Sequence, residues 1–135
     1  VTFALSQKSL ARLDGVHPKL VSVVTAAIAI SKVDFAVIEG VRSLAKQREY
    51  FLAGKSRTMK SRHLTGHAVD LAPIVDVDGD GRAELTWQEQ HFLPIADAMY
   101  QAAANLQVAI TWGGHWQSFK DCPHFEIDPL RYPTP

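Results

Sequence analysis

A single cysteine, Cys122, stands in the 135 residues, so the chain forms no internal disulfide and holds no Cys-rich zinc knuckle. An excess of either charge is missing too. The 14 Lys+Arg balance the 14 Asp+Glu, which argues against the broad electrostatic grip of nucleic-acid and anionic-lipid binders. The longest apolar run, Leu20 to Ile30, is broken by Ser22 and Thr25 and is far short of a bilayer span. The opening VTFALSQKSLARLDG has only a few consecutive apolar residues and does not read as a secretory leader. No repeat, low-complexity tract or linker divides the chain. The remaining composition, 47% hydrophobic and 21% charged, is that of one ordinary globular domain. The expectation is a monomer that binds no nucleic acid, forms no stable membrane association and is made in the cytoplasm.

Local signals order the elements. Ser6 to Leu13 reads as a short helix stopped at Gly15. His17-Pro18 opens a second, with Leu20, Val21, Val24, Ala27 and Ile28 as its apolar stripe. Asp34 to Glu39 reads as a strand, and Ser43 caps a helix through Ala53 with Gly54 beyond it. His67 to Ala72 is a candidate strand closed by Pro73. Thr86-Trp87-Gln88-Glu89 has the form of a capping box opening a helix to about Leu106, kinked at Pro94. Val108 to Trp112 and His124 to Ile127 complete the strands. The pattern predicts an α+β fold, a small and largely antiparallel sheet with helices packed on one side.

Chemistry concentrates in Ser61-Arg-His63-Leu-Thr-Gly66-His67-Ala68-Val-Asp70. Two imidazoles and a carboxylate stand close together, ligand types that hold zinc while one position stays open for water. On a helix, His63, His67 and Asp70 would share a face. On a loop entering a strand, period-2 parity turns His67 away from Asp70, and Gly66, the alternation and Pro73 favour that reading. A third ligand then comes from elsewhere, and Asp121-Cys-Pro-His124 can supply it, because Pro123 disfavours helix at Cys122. A bend there could bring His124 to the metal and Asp121 beside its water as a proton acceptor. Glu126 is the rival base, unless it orients a ligand or pairs with an arginine. Arg42, just past the strand end at Glu39-Gly40, could steady an oxyanion.

These residues resemble a known family. Ser61-x-His63-x-x-Gly66-x-Ala68-x-Asp70 with the later Asp121-x-x-His124 is similar to zinc peptidases of bacterial cell-wall metabolism, a family of D-Ala-D-Ala carboxypeptidases and dipeptidases and of phage endolysins. Val37-Ile-Glu-Gly-Val-Arg42-Ser and Trp112-Gly-Gly-His-Trp116-Gln-Ser-Phe-Lys-Asp121-Cys-Pro-His124-Phe-Glu resemble the branch that cleaves L-alanyl-D-glutamate bonds of peptidoglycan. The resemblance runs from about Phe3 to Ile127. It implies a hedgehog-like α+β fold and one zinc ion on His63, Asp70 and His124. Asp121 is then the base, Arg42 polarises the scissile carbonyl, and Ser61 lines the substrate site. The substrate would be a peptidoglycan stem peptide, cut by a single catalytic domain over residues 1–135 without a separate wall-binding domain. As an endolysin it would reach the wall from the host cytoplasm after membrane permeabilisation and lyse the cell. A D-Ala-D-Ala carboxypeptidase or dipeptidase with the same machinery is the alternative, and a noncatalytic zinc-containing wall-binding domain is a further one.

Other features have ordinary accounts beside functional ones. Asp76-x-Asp78-x-Asp80-Gly81 resembles the start of a calcium loop, but Trp87 stands where an EF-hand has its bidentate Glu. A solvated turn is the competing account for this candidate calcium site. Lys55, Arg57, Lys60 and Arg62 form either a solvated basic loop or an attractor for stem-peptide carboxylates. Trp112 and Trp116 are candidates to wall the cleft, with Trp112 equally suited to the core, and His115 is a candidate substrate contact.

Overall fold

The computed structural model describes residues 2–135. Ser6 caps α1 (Gln7–Arg12) by accepting from the Ser9 N–H, and His17 caps α2 (Pro18–Ile30) through its ring nitrogen. Strand β1 (Asp34–Glu39) leads to α3 (Leu44–Leu52), where Ser43 accepts from the Lys46 N–H. Then come β2 (Ala68–Val75), the two-residue β3 (Glu84–Leu85), α4 (Leu93–Leu106), β4 (Ile110–Trp112) and β5 (His124–Ile127).

Every strand pairing among the described residues is antiparallel, in the order β1-β2-β5-β4 with β3 also on β2. Strand parity divides the sheet into two faces. Phe35, Val37, Val69, Leu71, Phe125 and Ile127 enter the core with Leu20, Val23 and Val24 of α2 and Ile95 and Met99 of α4. Fully burying one such side chain contributes about 1.5–3 kcal/mol. Asp70, His124 and Glu126 alternate with these residues and so face the other way. On the outer edge of β1, the Val37 N–H donates to Ser9 Oγ, and Arg12 donates to the Val37 carbonyl. Helix α1 thereby satisfies backbone groups that an open edge would leave unpaired.

Two expectations are corrected. Strand β2 does not close at Pro73 but runs through it to Val75. The Pro73 carbonyl accepts from Thr86, on the side away from β1. The missing N–H therefore faces the gap between β5 and β3, where no ladder bond is lost. The Thr86 capping box does not form. A 3-10 turn at Glu89–Phe92 precedes α4, and Pro94 sits in the first turn of that helix, where its missing N–H costs nothing and no kink follows. Thr86 Oγ1 instead accepts from the Gln88 N–H, and Glu89 pairs with Lys120.

Candidate metal centre and active-site cleft

Sheet register assembles the centre. Asp70 on β2 lies directly opposite His124 on β5, and Glu39 on β1 lies opposite Asp70. A register shift between Val37 and Glu39 brings Glu39 into line with Asp70. His63 arrives from a 3-10 turn, Arg62–Thr65, whose first residues are capped by Ser61 Oγ accepting from the His63 N–H. Gly66 ends that turn at φ +76, and a Cβ there would lie 2.4 Å from the Gly15 carbonyl oxygen. Only glycine therefore lets the turn seat against the α1–α2 connection, where Gly66 accepts from the His17 N–H.

Both imidazoles are oriented from behind. His63 Nδ1 lies 2.9 Å from the Gly40 carbonyl, which can only accept, so Nδ1 carries the proton and Nε2 is free toward Asp70 Oδ1 at 3.1 Å. His124 Nε2 lies 2.7 Å from Glu126 Oε1, which turns Nδ1 toward Asp70 Oδ1 at 3.6 Å. Glu126 is itself paired with Arg62 at 3.2 Å. This is the carboxylate–histidine and carbonyl–histidine support that metal ligands characteristically have. One ligand atom from each of His63, Asp70 and His124 lies within 4.8 Å of the others. Neighbouring ligands of a tetrahedral zinc are ~3.3 Å apart, given bonds of about 2.0–2.1 Å. The separations of 3.1 and 3.6 Å from Asp70 bracket that edge, so the donors suit such an ion in both type and spacing.

The charges agree with this role. Burial pushes the Asp70 carboxyl up, but hydrogen bonds and positive charge from His124 and His63 outweigh it and hold Asp70 well below the usual carboxylate range. Burial opposes a charged His124, yet Asp70 and Glu126 together push it up to about 9. Asp121 behaves oppositely. Burial and the nearby Asp70 charge raise its carboxyl above the usual range, as suits a group that takes up a proton.

The centre opens into a cleft of about 780 Å³ whose lining includes Arg42, Ser61, Trp116 and Asp121. The Arg42 guanidinium is buried. Nε donates to Glu39 Oε1 at 2.9 Å, Nη1 donates to Gln47 Oε1 at 2.7 Å, and the group lies 4.6 Å over the Tyr50 ring. The structure thus brings together His63, Asp70, His124, Asp121, Arg42, Ser61 and Trp116. Trp112 and His115 lie elsewhere. Trp112 is 4% exposed, stacks on Phe125 and donates Nε1–H to the Cys122 carbonyl, so it belongs to the core and not to the cleft wall. His115 packs between Tyr100 and Trp112, beside a smaller hollow bounded by Glu89 and Lys120. His67 rests against His17, which in turn meets the Tyr132 ring, and it does not line the cleft.

Three aromatic residues of the cleft, Tyr50, Trp87 and Phe119, were missed. Trp87 and Phe119 lie inside quoted stretches, but nothing local singles out any of the three, since they reach the cleft only through the packing of α3 and two loops. The basic run divides. Lys55 and Lys60 line the cleft, Arg57 lies over Phe119 and donates to Ser118, and Arg62 turns inward to Glu126 and the carbonyls of Ile127 and Tyr132. Asp76, Asp78 and Asp80 place carboxylate oxygens within 4.8 Å of one another on an exposed turn. Each accepts backbone N–H groups of that same turn, from Gly79, Asp80, Gly81 and Arg82.

The family described as Phage L-alanyl-D-glutamate peptidase matches residues 1–129. The chain belongs to that family. With that membership it is a peptidase, a hydrolase. It is 28% identical to the L-alanyl-D-glutamate peptidase of Escherichia phage T5, over 98% of this chain and 94% of that one. It is 30% identical to the peptidoglycan L-alanyl-D-glutamate endopeptidase CwlK of Bacillus subtilis (strain 168), over 77% of this chain and 66% of the relative. The crystal structure of the Serratia marcescens L-Ala D-Glu endopeptidase ChiX superposes with a TM-score of 0.88 at 40% identity, covering 98% of this chain and 96% of that one. The fold is thereby the single α+β domain of ChiX.

Proposed function

We propose that the protein is a zinc-dependent endopeptidase that hydrolyses the L-alanyl-D-glutamate bond of peptidoglycan stem peptides and so lyses the bacterial cell wall. The observation that carries this reading is the convergence of His63 Nε2, Asp70 Oδ1 and His124 Nδ1 on one point of an open cleft, with Asp121 and Arg42 beside it. The named activities of the phage T5, CwlK and ChiX relatives support the choice of bond.

His63, Asp70 and His124 would hold the ion. When bound, zinc supplies Lewis acidity, lowering the pKa of a water toward neutrality and polarising a carbonyl. The protein's own groups do the rest. Asp121 accepts a proton from the attacking water, and the water oxygen bonds to the alanyl carbonyl carbon. Arg42 donates to the carbonyl oxygen as negative charge develops there, its direction fixed beforehand by Glu39 and Gln47. Asp121 then passes the proton to the glutamate nitrogen as the C–N bond breaks. Glu126 and the Gly40 carbonyl keep the two imidazoles aimed throughout.

Among the described residues no helix is long and apolar enough to cross a membrane. The reading has the enzyme act as a monomer on the wall after the membrane is breached, with this domain both binding and cutting the stem peptide. The test is a digest of purified sacculi analysed by mass spectrometry, with and without a chelator. New alanyl carboxyl and glutamyl amino termini, abolished by the chelator and restored by zinc, are expected. Release of a terminal D-Ala instead would replace this reading with a carboxypeptidase, and binding without new termini would replace it with a noncatalytic domain.

A further inference from the structure

Three cations surround one ring on the cleft wall. The Arg42 guanidinium carbon lies 4.6 Å from the Tyr50 centroid, Lys46 Nζ 5.4 Å and Lys55 Nζ 5.9 Å. The arrangement is built into the backbone. Lys46 and Tyr50 are one helical turn apart on α3, and Lys55 is tied back by its N–H donating to the Tyr50 carbonyl at 2.8 Å. Glu39, Asp70 and Glu126 of the cleft form no ion pair with either lysine. Glu39 is engaged with Arg42, Glu126 with Arg62 and His124, and Asp70 with the two imidazoles and, at 3.7 Å, with Arg42. Among the described residues Lys46 pairs only with Glu49, 3.7 Å away with both side chains exposed, a pairing of a kind that holds a lysine weakly. Lys55 forms no ion pair among the described residues.

We propose that Lys46 and Lys55, arrayed around Tyr50 beside Arg42, form a subsite for the free carboxylate on the glutamate side of the scissile bond. The inference rests on the proposed peptidase reading and adds what selects the substrate. Cleavage of an alanyl–glutamate bond places glutamate's nitrogen at the reacting centre. Glutamate has two carboxyls, and a linear stem continues through one of them. The other remains an anion a few bonds from that nitrogen. With Arg42 on the carbonyl oxygen, this anion falls next to Arg42, where the two lysines stand. Charge-assisted hydrogen bonds there would distinguish a carboxylate from its neutral amide.

The experiment compares two synthetic stem peptides with the zinc-loaded enzyme, identical except that one bears the glutamate carboxylate and the other its carboxamide. Wild type should show kcat/KM about tenfold higher for the carboxylate, a preference that shrinks in high salt. In Lys46→Ala/Lys55→Ala the ratio should fall to near one, chiefly through KM. Lys46→Arg/Lys55→Arg should retain it, and Lys46→Glu/Lys55→Glu should invert it. Equal cleavage of both peptides by wild type, or a ratio unaltered in the alanine and glutamate variants, overturns the subsite and leaves the peptidase reading intact. Failure of wild type to cut either peptide overturns both.

Discussion

Glu126 Oε1 sits 2.7 Å from His124 Nε2, with its other oxygen on Arg62, so the Glu126 carboxylate leaves Nδ1 as the nitrogen that His124 can offer to a metal. Hydrogen-bonded support of this kind is worth about 10–100-fold in metal affinity. Glu126→Ala should weaken zinc binding by about that factor, measured by competition with a chromophoric chelator. Glu126→Gln keeps an acceptor for Nε2–H and should lose less. Equal affinity in wild type and Glu126→Ala would show that the sheet register alone orients the imidazole.

Glu126 is thereby occupied, which leaves Asp121 as the proposed proton acceptor. Its raised pKa comes from burial and the Asp70 charge. Asp121→Ala should retain one zinc per chain and lose about 10²–10⁴-fold in kcat. Full activity in that variant would remove Asp121 from the mechanism.

Arg42 is held by an oxygen of Glu39, an oxygen of Gln47 and the face of Tyr50. A lysine ammonium cannot reproduce that planar, three-sided hold. Arg42→Lys should therefore lower kcat about 10²–10³-fold, close to the loss expected of an oxyanion donor, while zinc content is unchanged. Steady-state kinetics with metal analysis checks both halves.

The pH dependence follows from His124, whose pKa in the metal-free protein is pushed up to about 9 by Asp70 and Glu126 against the opposing effect of burial. Because the folded value lies above the ordinary 6.5, this contribution to metal-free stability is fully present below that ordinary value and is lost as pH rises through about 9. Metal binding runs the other way, since Nδ1 must lose its proton to ligate. Asp70, held low, remains ionised throughout. Zinc affinity should rise about tenfold per pH unit on approaching that value and level off above it, with one proton released per ion. Calorimetric titration in buffers of different ionisation enthalpy measures the release, and a pH-independent affinity would contradict the assignment.

Much of this was legible because it is local. The Ser43 cap, Pro18 at a helix start, and the strands Asp34–Glu39 and His124–Ile127 depend on neighbouring residues only. Strand parity also separated His67 from Asp70. What local pattern misjudged was resolved by distant contacts. Thr86 and Glu89 had the spacing of a capping box, but Glu89 is drawn to Lys120, 31 residues away. The sequence left Trp112 open between cleft wall and core, and only the sheet shows that it stacks on Phe125 while Trp116 packs against His124, 5.0 Å between rings. Arg62 read as one cation of a solvated run, whereas Glu126, 64 residues away, turns it inward.

The distant contact most exposed to test is at Gly113. Its carbonyl accepts from the Asp121 N–H at 3.0 Å, and the Asp121 carbonyl in turn accepts from the His124 N–H at 3.1 Å. A Cβ on Gly113 would lie 2.3 Å from the Asp121 carbonyl oxygen and 3.1 Å from the Cβ atoms of both Asp121 and His124. Rigid backbone cannot yield to a 2.3 Å approach, so Gly113→Ala must move the turn that carries Asp121 and His124. Overpacking of this kind costs about 1–3 kcal/mol, which for a domain of this size lowers Tm by about 3–10 °C. Displacing two functional side chains together should also reduce kcat by more than tenfold at temperatures where the variant is fully folded. That second effect separates a positional role from mere destabilisation. A variant with lowered Tm and wild-type kcat at low temperature would mean that the 113–121 segment relaxes without carrying Asp121 and His124 with it.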